Sequence, residues 1–396
     1  MDPFGLYSQS TFFVKNREVQ YEHFFTVLSH MMPYCGYDPR YLSDCVNETE
    51  RRILILKNIF YWMLAISAAA MLFLIFFEAW QSHDMGKLAL ATSTSLTAVV
   101  YFLVVGRLQL SKVEIFNFFE RFRQNFPSQG HVAVNACLFI QNLSVVFIML
   151  WLVLIIIVCF VPLASILLFS RKILFYPVPE FMMHGLIYFL TYLWSDHIVV
   201  FTNLQYLTLT LIIVTLVSLV CLEFDQLAHD VASLKHLDEN ELSESLPTLV
   251  ERHIRALELT ETLDGFFSII FLIRFVLSIF AIGIDFFAIM SLKNPSDISL
   301  GVALIISELS QLFMISCIGQ MLMNANNRFA TAVYDCGWEN WTSLSLKKNM
   351  LMILKKAQNP ASLTIWKFGS ISLELFASIV NSIYDITSFL SAVYDN

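Results

Sequence analysis

The sequence predicts an all-α polytopic membrane protein with seven transmembrane helices, a cytoplasmic N-terminus and an extracellular C-terminus. Cytosolic helix extensions are expected to form an anchor region. Three observations lead there: the composition, the spacing of the apolar runs, and the placement of Lys and Arg. Hydrophobic residues make up 57% of the 396 positions and charged ones 14%. An ordinary soluble domain carries about 45–50% and about 25%. With 36 Phe and a mean hydropathy of +0.66, the excess apolar surface must face lipid. The net charge of −8 argues against nucleic acid as a partner. Scarce Gly (12) and Pro (10) exclude collagen-like and linker-rich classes.

A spanning helix needs ~20 mostly apolar residues. Such runs fall at 53–77, 88–105, 138–161, 185–222, 266–290, 299–323 and 371–393. The first follows Glu50-Arg51-Arg52 and stops at Glu78; the second closes at Gly106-Arg107; the third ends at Pro162. The fourth, beginning near Gly185, is almost twice as long as the ~30 Å hydrocarbon layer requires, so one end should project into water. Residues 1–21 carry Asp2, Lys15, Arg17 and Glu18 and no long apolar run, so the first span is expected to serve as the insertion signal. The resulting divisions are a cytoplasmic N-terminal segment at 1–52, helices 1–6 at 53–323, an anchor at 324–370, and a final helix with the C-terminus at 371–396.

Orientation follows from the bias of Lys and Arg toward the cytoplasm. With the amino terminus inside, only Lys87, Arg171, Lys172 and Lys293 fall outside, and Arg274 and Lys367 are unassigned. The remaining basic residues, from Lys15 to Lys356, all lie inside. An odd number of spans then places the carboxyl terminus outside. The sequons at Asn47 and Asn340 fall inside and that at Asn142 within a span, which predicts no glycosylation.

The inner polar stretches, 106–131, 223–264 and 324–364, are too short for an independent catalytic domain. In the middle one, Leu227, Val231 and Leu234, then Leu246, Leu249, Ile254 and Leu257, recur at helical steps. This predicts the fourth and fifth spans continuing into the cytosol as paired helices, with His229 and His236 on a solvated face. The seven cysteines form no CxxC, and no phosphate-loop, zinc-protease, nucleophile-elbow or dinucleotide motif occurs. No catalytic residue, metal or cofactor is expected, and the remaining classes are receptor, channel and transporter.

Ionisable groups inside spans are the default functional candidates. They are Asp196, Arg274, Asp285, Glu308 and Asp385. Arg274 is expected near the inner boundary, snorkelling toward water. Asp285 and Glu308 are expected to pair with polar neighbours, to stay protonated, or to serve function. The last span carries Ser378, Ser382, Asp385, Phe389 and Ala392 on one stripe. Small polar residues with one carboxylate and a large apolar residue suit a water-filled pathway with a hydrophobic constriction. An interhelical face of hydrogen-bonding residues is the alternative.

The carboxyl-terminal third carries a series of motifs: Gln311-Leu-Phe-Met-Ile-Ser-Cys-Ile-Gly319, Ala330-Thr-Ala-Val-Tyr334 with Trp338, Lys356-Ala-Gln-Asn-Pro360, Ser372-Leu-Glu-Leu-Phe376 and Ser382-Ile-Tyr384. Their order resembles the insect odorant receptor family, and Tyr176-Pro177 and Cys221 fit the same pattern. The specific motifs lie in the last ~90 residues, while length and inverted seven-span topology match throughout. Lys356 stands where the family usually has Arg or Lys, and Ala392 aligns where many members have Gln. The loop between spans four and five lacks the insertion typical of the shared co-receptor, and the gustatory receptors' closing motif is missing. The resemblance therefore implies a ligand-tuning subunit.

It also implies a heteromeric tetramer with co-receptor subunits in the plasma membrane of olfactory sensory neurons, opened by a small volatile odorant. One helix cannot enclose a water column, whereas four around a closed axis can. By alignment Phe389 falls at the gate, Ala392 just outside it, and Asp385 and Ser382 inward of it. Odorants in such receptors bind in the outer half of the bundle. Here that gives Ser93, Leu96 and Thr97; Phe147, Trp151 and Leu154; Tyr192, Asp196, Val200 and Asn203; and Ile305, Glu308 and Leu309. Burial of apolar area at ~25 cal/mol per Å² supplies most of the affinity for such ligands. A G-protein-coupled chemosensory receptor is the runner-up, disfavoured by orientation and the lack of a DRY-type triplet. A secondary transporter stands third, with no internal repeat to support it.

Overall fold

A computed structural model describes residues 48–81, 83–124, most of 142–160, 184–292, 295–359 and 361–394. The chain is helical almost throughout. The helices are α1 (Glu48–Gln81), α2 (Met85–Leu110), α3 (Lys112–Gln124), α4 (Ser144–Val153), α5 (Gly185–Ser233), α6 (Glu239–Ser291), α7 (Pro295–Asp335), α8 (Leu344–Ala357) and α9 (Leu373–Tyr394). Residues 1–47 and 395–396, with much of the third span, lie outside the described residues.

Spans one, two, four, five and six each fall within one of these helices, and span seven begins two residues before α9, which starts at Leu373. Among the described residues, Met85–Val104, Tyr206–His236, Glu239–Ser291 and Ile298–Asn340 are long and apolar enough to cross a membrane. On α1, Leu56, Met63, Ile66 and Phe73 are exposed, the pattern of a helix that meets lipid. By contrast, α5 is encased from Tyr206 to Leu222. A helix apolar on all sides belongs in an interior.

At 49 residues α5 reaches ~75 Å at 1.5 Å per residue, and α6 at 53 residues is longer still. Both continue beyond their apolar segments and are joined by a 3₁₀ turn at Leu234–His236. Phe224, Leu227, Val231 and Leu234 of α5 pack with Leu242, Leu246 and Leu249 of α6, Phe329 and Val333 of α7, and Met350 and Ile353 of α8. This is the expected anchor, and His229 and His236 lie exposed on it.

One register is corrected. Ile254 is 49% exposed, whereas His253 beside it is buried. The inward stripe of α6 runs Leu246, Leu249, His253, Ala256, Thr260 and Leu263, in steps of three and four. Hydrophobicity alone chose Ile254 over the flat imidazole. That ring packs 4.6 Å from the Phe329 ring, tilted 48° to it, instead.

Local hydrogen bonds fix the ends. Asp84 accepts from the backbone N–H groups of Gly86 (3.0 Å) and Lys87 (3.2 Å) and so caps α2. At the foot of the bundle, Glu239 accepts from the Thr342 and Ser343 N–H groups and the Thr342 hydroxyl, holding the approach to α8. Those three donors draw its pKa below the usual carboxylate range. Between α8 and α9, Asp264 accepts from the Thr364 N–H at 2.6 Å and from its hydroxyl. There the chain reverses through Ile365–Phe368, with Trp366 (φ 41°) and Lys367 (φ 68°) both left-handed. The Phe368 N–H closes that turn on the Ile365 carbonyl at 2.8 Å.

Candidate functional site

Four helices place polar side chains in the apolar bundle at one level. Glu308 of α7 is the centre. Its Oε2 lies 2.8 Å from Arg274 Nη2 of α6 and accepts from the Ser278 hydroxyl at 2.8 Å; its Oε1 accepts from the Thr97 hydroxyl of α2 at 3.3 Å. Arg274 also donates to Gln311 of α7, one turn from Glu308. Its guanidinium carbon sits 5.0 Å from the centre of the Tyr206 ring of α5, and the Tyr206 hydroxyl donates to the Thr97 carbonyl at 3.0 Å. Arg274 and Ser278 stand one turn apart on α6, as Glu308 and Gln311 do on α7, so each helix presents two of these groups on one face.

Arg274 therefore does not snorkel to the boundary. Its side chain is 4% exposed, as is that of Glu308. An isolated charge is costly in a low-dielectric interior, so the two are retained as a hydrogen-bonded pair. Gln311, the first residue of the Gln…Gly motif, belongs to the same group; its position in a family motif was the available signal. Tyr206 and Ser278 carried none.

Asp285 lies further toward the C-terminal end of α6 and is fully buried, with Ser93 of α2 and Glu308 as polar neighbours. Neither carboxyl oxygen has a hydrogen bond among the described residues. Ser93, Thr97 and Glu308, three of the residues expected in the pocket, are thus brought together. Phe147 and Trp151 of α4 meet edge to face at 6.1 Å and join Ile305 in the main apolar core, with Leu309 packed against it. Leu96, Val200 and Asn203 are half-buried. Tyr192 and Asp196 stand apart near the N-terminal end of α5, where the Tyr192 hydroxyl donates to the Cys159 carbonyl at 3.0 Å. Leu154 lies outside the described residues.

The last helix is held on one side only. Ile379 and Ile383 bury against α6 and α7, while Ser382, Asp385 and Ala392 are exposed and Phe389 is 67% exposed. Two glycines permit its close seating. A Cβ on Gly319 of α7 would stand 2.3 Å from the Ile371 carbonyl oxygen, inside any allowed contact. One on Gly283 of α6 would stand 3.0 Å from the Ile386 methyl. The glycine of the Gln…Gly motif thus has a physical cause: the backbone entering α9 crosses directly over it.

A family model described as 7tm odorant receptor matches residues 83–384. The chain is 24% identical over 213 residues to putative odorant receptor 92a of Drosophila melanogaster, covering 52% of this chain and 51% of that one. It is 27% identical over 191 residues to odorant receptor 13a of the same fly, covering 44% and 46%. The chain spans about half the length of the curated relatives it matches. Among solved structures, the olfactory receptor OR5 of Machilis hrabei in complex with eugenol superposes with a TM-score of 0.76 at 11% identity, covering 94% of this chain and 99% of that one. The same receptor without the ligand named also gives 0.76, at 12% identity and 92% and 96% coverage. The fold is that of a seven-helix membrane protein. The chain belongs to the 7tm odorant receptor family.

Proposed function

We propose that this chain is the odorant-binding subunit of a ligand-gated, cation-conducting channel, assembled as a tetramer with co-receptor subunits. It resides in the plasma membrane of olfactory sensory neurons, amino terminus inside, with no nucleic-acid partner. The observation that carries this reading is the one-sided packing of α9. Its isoleucines seal against α6 and α7, and its Ser382, Asp385 and Phe389 face is exposed among the described residues. A polar helical face at membrane depth needs water or another subunit. Four such faces around an axis supply both, with Phe389 as the constriction, Ala392 beyond it and the Asp385 carboxylate favouring cations.

The odorant is a small volatile molecule held between α2, α4, α5 and α7. Phe147, Trp151, Leu154, Ile305, Leu309, Leu96 and Val200 supply apolar area, and Ser93, Thr97, Tyr192, Asp196, Asn203 and Glu308 supply polar contacts. The ligand opens the channel only by binding the open arrangement more tightly than the closed one. Co-expression with and without a co-receptor, with current recorded while G-protein signalling is blocked, tests the reading. Odorant-evoked current that survives the block supports the channel. Loss of every response under the block sinks it and favours the G-protein-coupled alternative.

A further inference from the structure

A second cleft, remote from the polar ring, opens where α5 and α6 leave the apolar layer. Its volume is about 170 Å³, and it is lined by Arg121 and Phe122 of α3, Glu223 of α5, and Arg255, Glu258, Leu259 and Thr262 of α6. The level is set by the sequence. On α5 the apolar run stops at Leu222 and charges begin with Glu223; on α6 charges continue through Asp264 and stop before Phe266. The cleft therefore sits at the headgroup depth of one leaflet. Beside it, Leu110 and Val113 are exposed apolar residues at the entry to α3.

The charges around the cleft are sorted. Glu223 is buried and already engaged by Arg252, whose Nε lies 3.2 Å from it and whose Nη1 bonds Asp230. It therefore offers no free negative charge. Arg255 makes no ion pair or hydrogen bond among the described residues, nor does the Glu258 carboxylate three residues on. Arg121 of α3, which has an interaction of its own but carries five N–H donors, adds a second guanidinium, and Phe122 and Leu259 supply an apolar floor. Two guanidiniums present a fork for phosphate oxygens. A lone carboxylate beside them suits an ammonium, and the apolar floor suits the first carbons of a glyceride.

We propose that this cleft binds a phosphate group carrying a neighbouring primary ammonium, the chemistry of phosphoethanolamine. Arg255 and Arg121 take the phosphate and Glu258 takes the ammonium. Basic pockets between helices at the cytoplasmic face are recurrent lipid headgroup sites, and the added carboxylate is what distinguishes this one. Occupancy would tie α3 to α5 and α6 at the neck between bundle and anchor.

The test uses the full-length chain in nanodiscs of equal parts phosphatidylcholine and phosphatidylethanolamine, with retained lipid read by native mass spectrometry. The wild type is expected to retain phosphatidylethanolamine several-fold over phosphatidylcholine. Arg255→Gln should retain several-fold less of both. Glu258→Gln should keep lipid but lose the preference, because a quaternary ammonium has no N–H to donate. A parallel arm adds O-phosphoethanolamine to the delipidated chain. Binding there that both substitutions weaken assigns the site to a soluble phosphate; lipid binding without it assigns the site to the membrane. Both substitutions are on an aqueous helix face, and far-ultraviolet circular dichroism verifies that helix content is kept. Equal retention by wild type and both variants in both arms, or no retention by wild type, overturns the proposal.

Discussion

Arg274 and Glu308, 34 residues apart in sequence and on different helices, meet at 2.8 Å with both side chains 4% exposed. Thr97, Ser278 and Gln311 hydrogen-bond to the pair, and Tyr206 covers the guanidinium with its ring while bonding the Thr97 carbonyl, so α2, α5, α6 and α7 are tied at a single level.

Removing one partner leaves the other charged and buried. Arg274→Met alone should therefore destabilise by about 3–5 kcal/mol. Pairing it with Glu308→Leu should recover most of that loss. Thermal unfolding of the purified chain in detergent measures it; additive losses in the double variant would mean that the pair is not coupled.

Gly319→Ala is expected to lower stability by at least about 1–3 kcal/mol, since the clash is with backbone that cannot rotate away. Gly283→Ala should cost less, because the opposing atom is the Ile386 methyl, and Ile386→Ala should offset it. Cell-surface labelling with evoked current in the same cells reads both. A fully expressed, wild-type-like Gly319→Ala would contradict the close crossing.

At the proposed constriction, Phe389→Ala should change basal or evoked conductance. Currents indistinguishable from wild type at matched surface expression would remove Phe389 from the gate.

Burial, and then the charge of Lys356, push His253 down to about 4 from an ordinary 6.5. The folded state thus holds it neutral while the unfolded chain takes up a proton below pH ~6.5. Its contribution is complete above that pH and is lost as pH falls toward 4. Glu239, depressed by its Thr342 and Ser343 donors, has the same sign at lower pH: its contribution is present above the ordinary carboxylate pKa and lost on acidification. Unfolding followed from pH 7 to pH 4 should show a decline that His253→Phe flattens over the upper part of that range. An unchanged slope in that variant would locate the acid sensitivity elsewhere.

Much of the architecture could be read from one dimension. Apolar run length located six of the helices, and the long fourth span announced the extension of α5 to Ser233. Which helices meet was not legible. Arg274 looked like a boundary residue because its partner stands on another helix, and only the superposition of α6 and α7 levels reveals the pair. Ile254 and His253 show the same limit at finer scale: periodicity located the stripe, while ring packing on Phe329 decided its register. Gly319 was visible as a motif letter; its reason, the Ile371 carbonyl, is a matter of close approach.

After Gly185, α5 contains neither glycine nor proline through Ser233, and from Tyr206 to Leu222 it is buried on all sides. Such a rod has no hinge. Tilting it by ~3° about one end would carry the other through ~4 Å, given a length of ~75 Å. A push of that size at the Gly185 end would thereby be delivered, undiminished by any bend, at the Ser233 end.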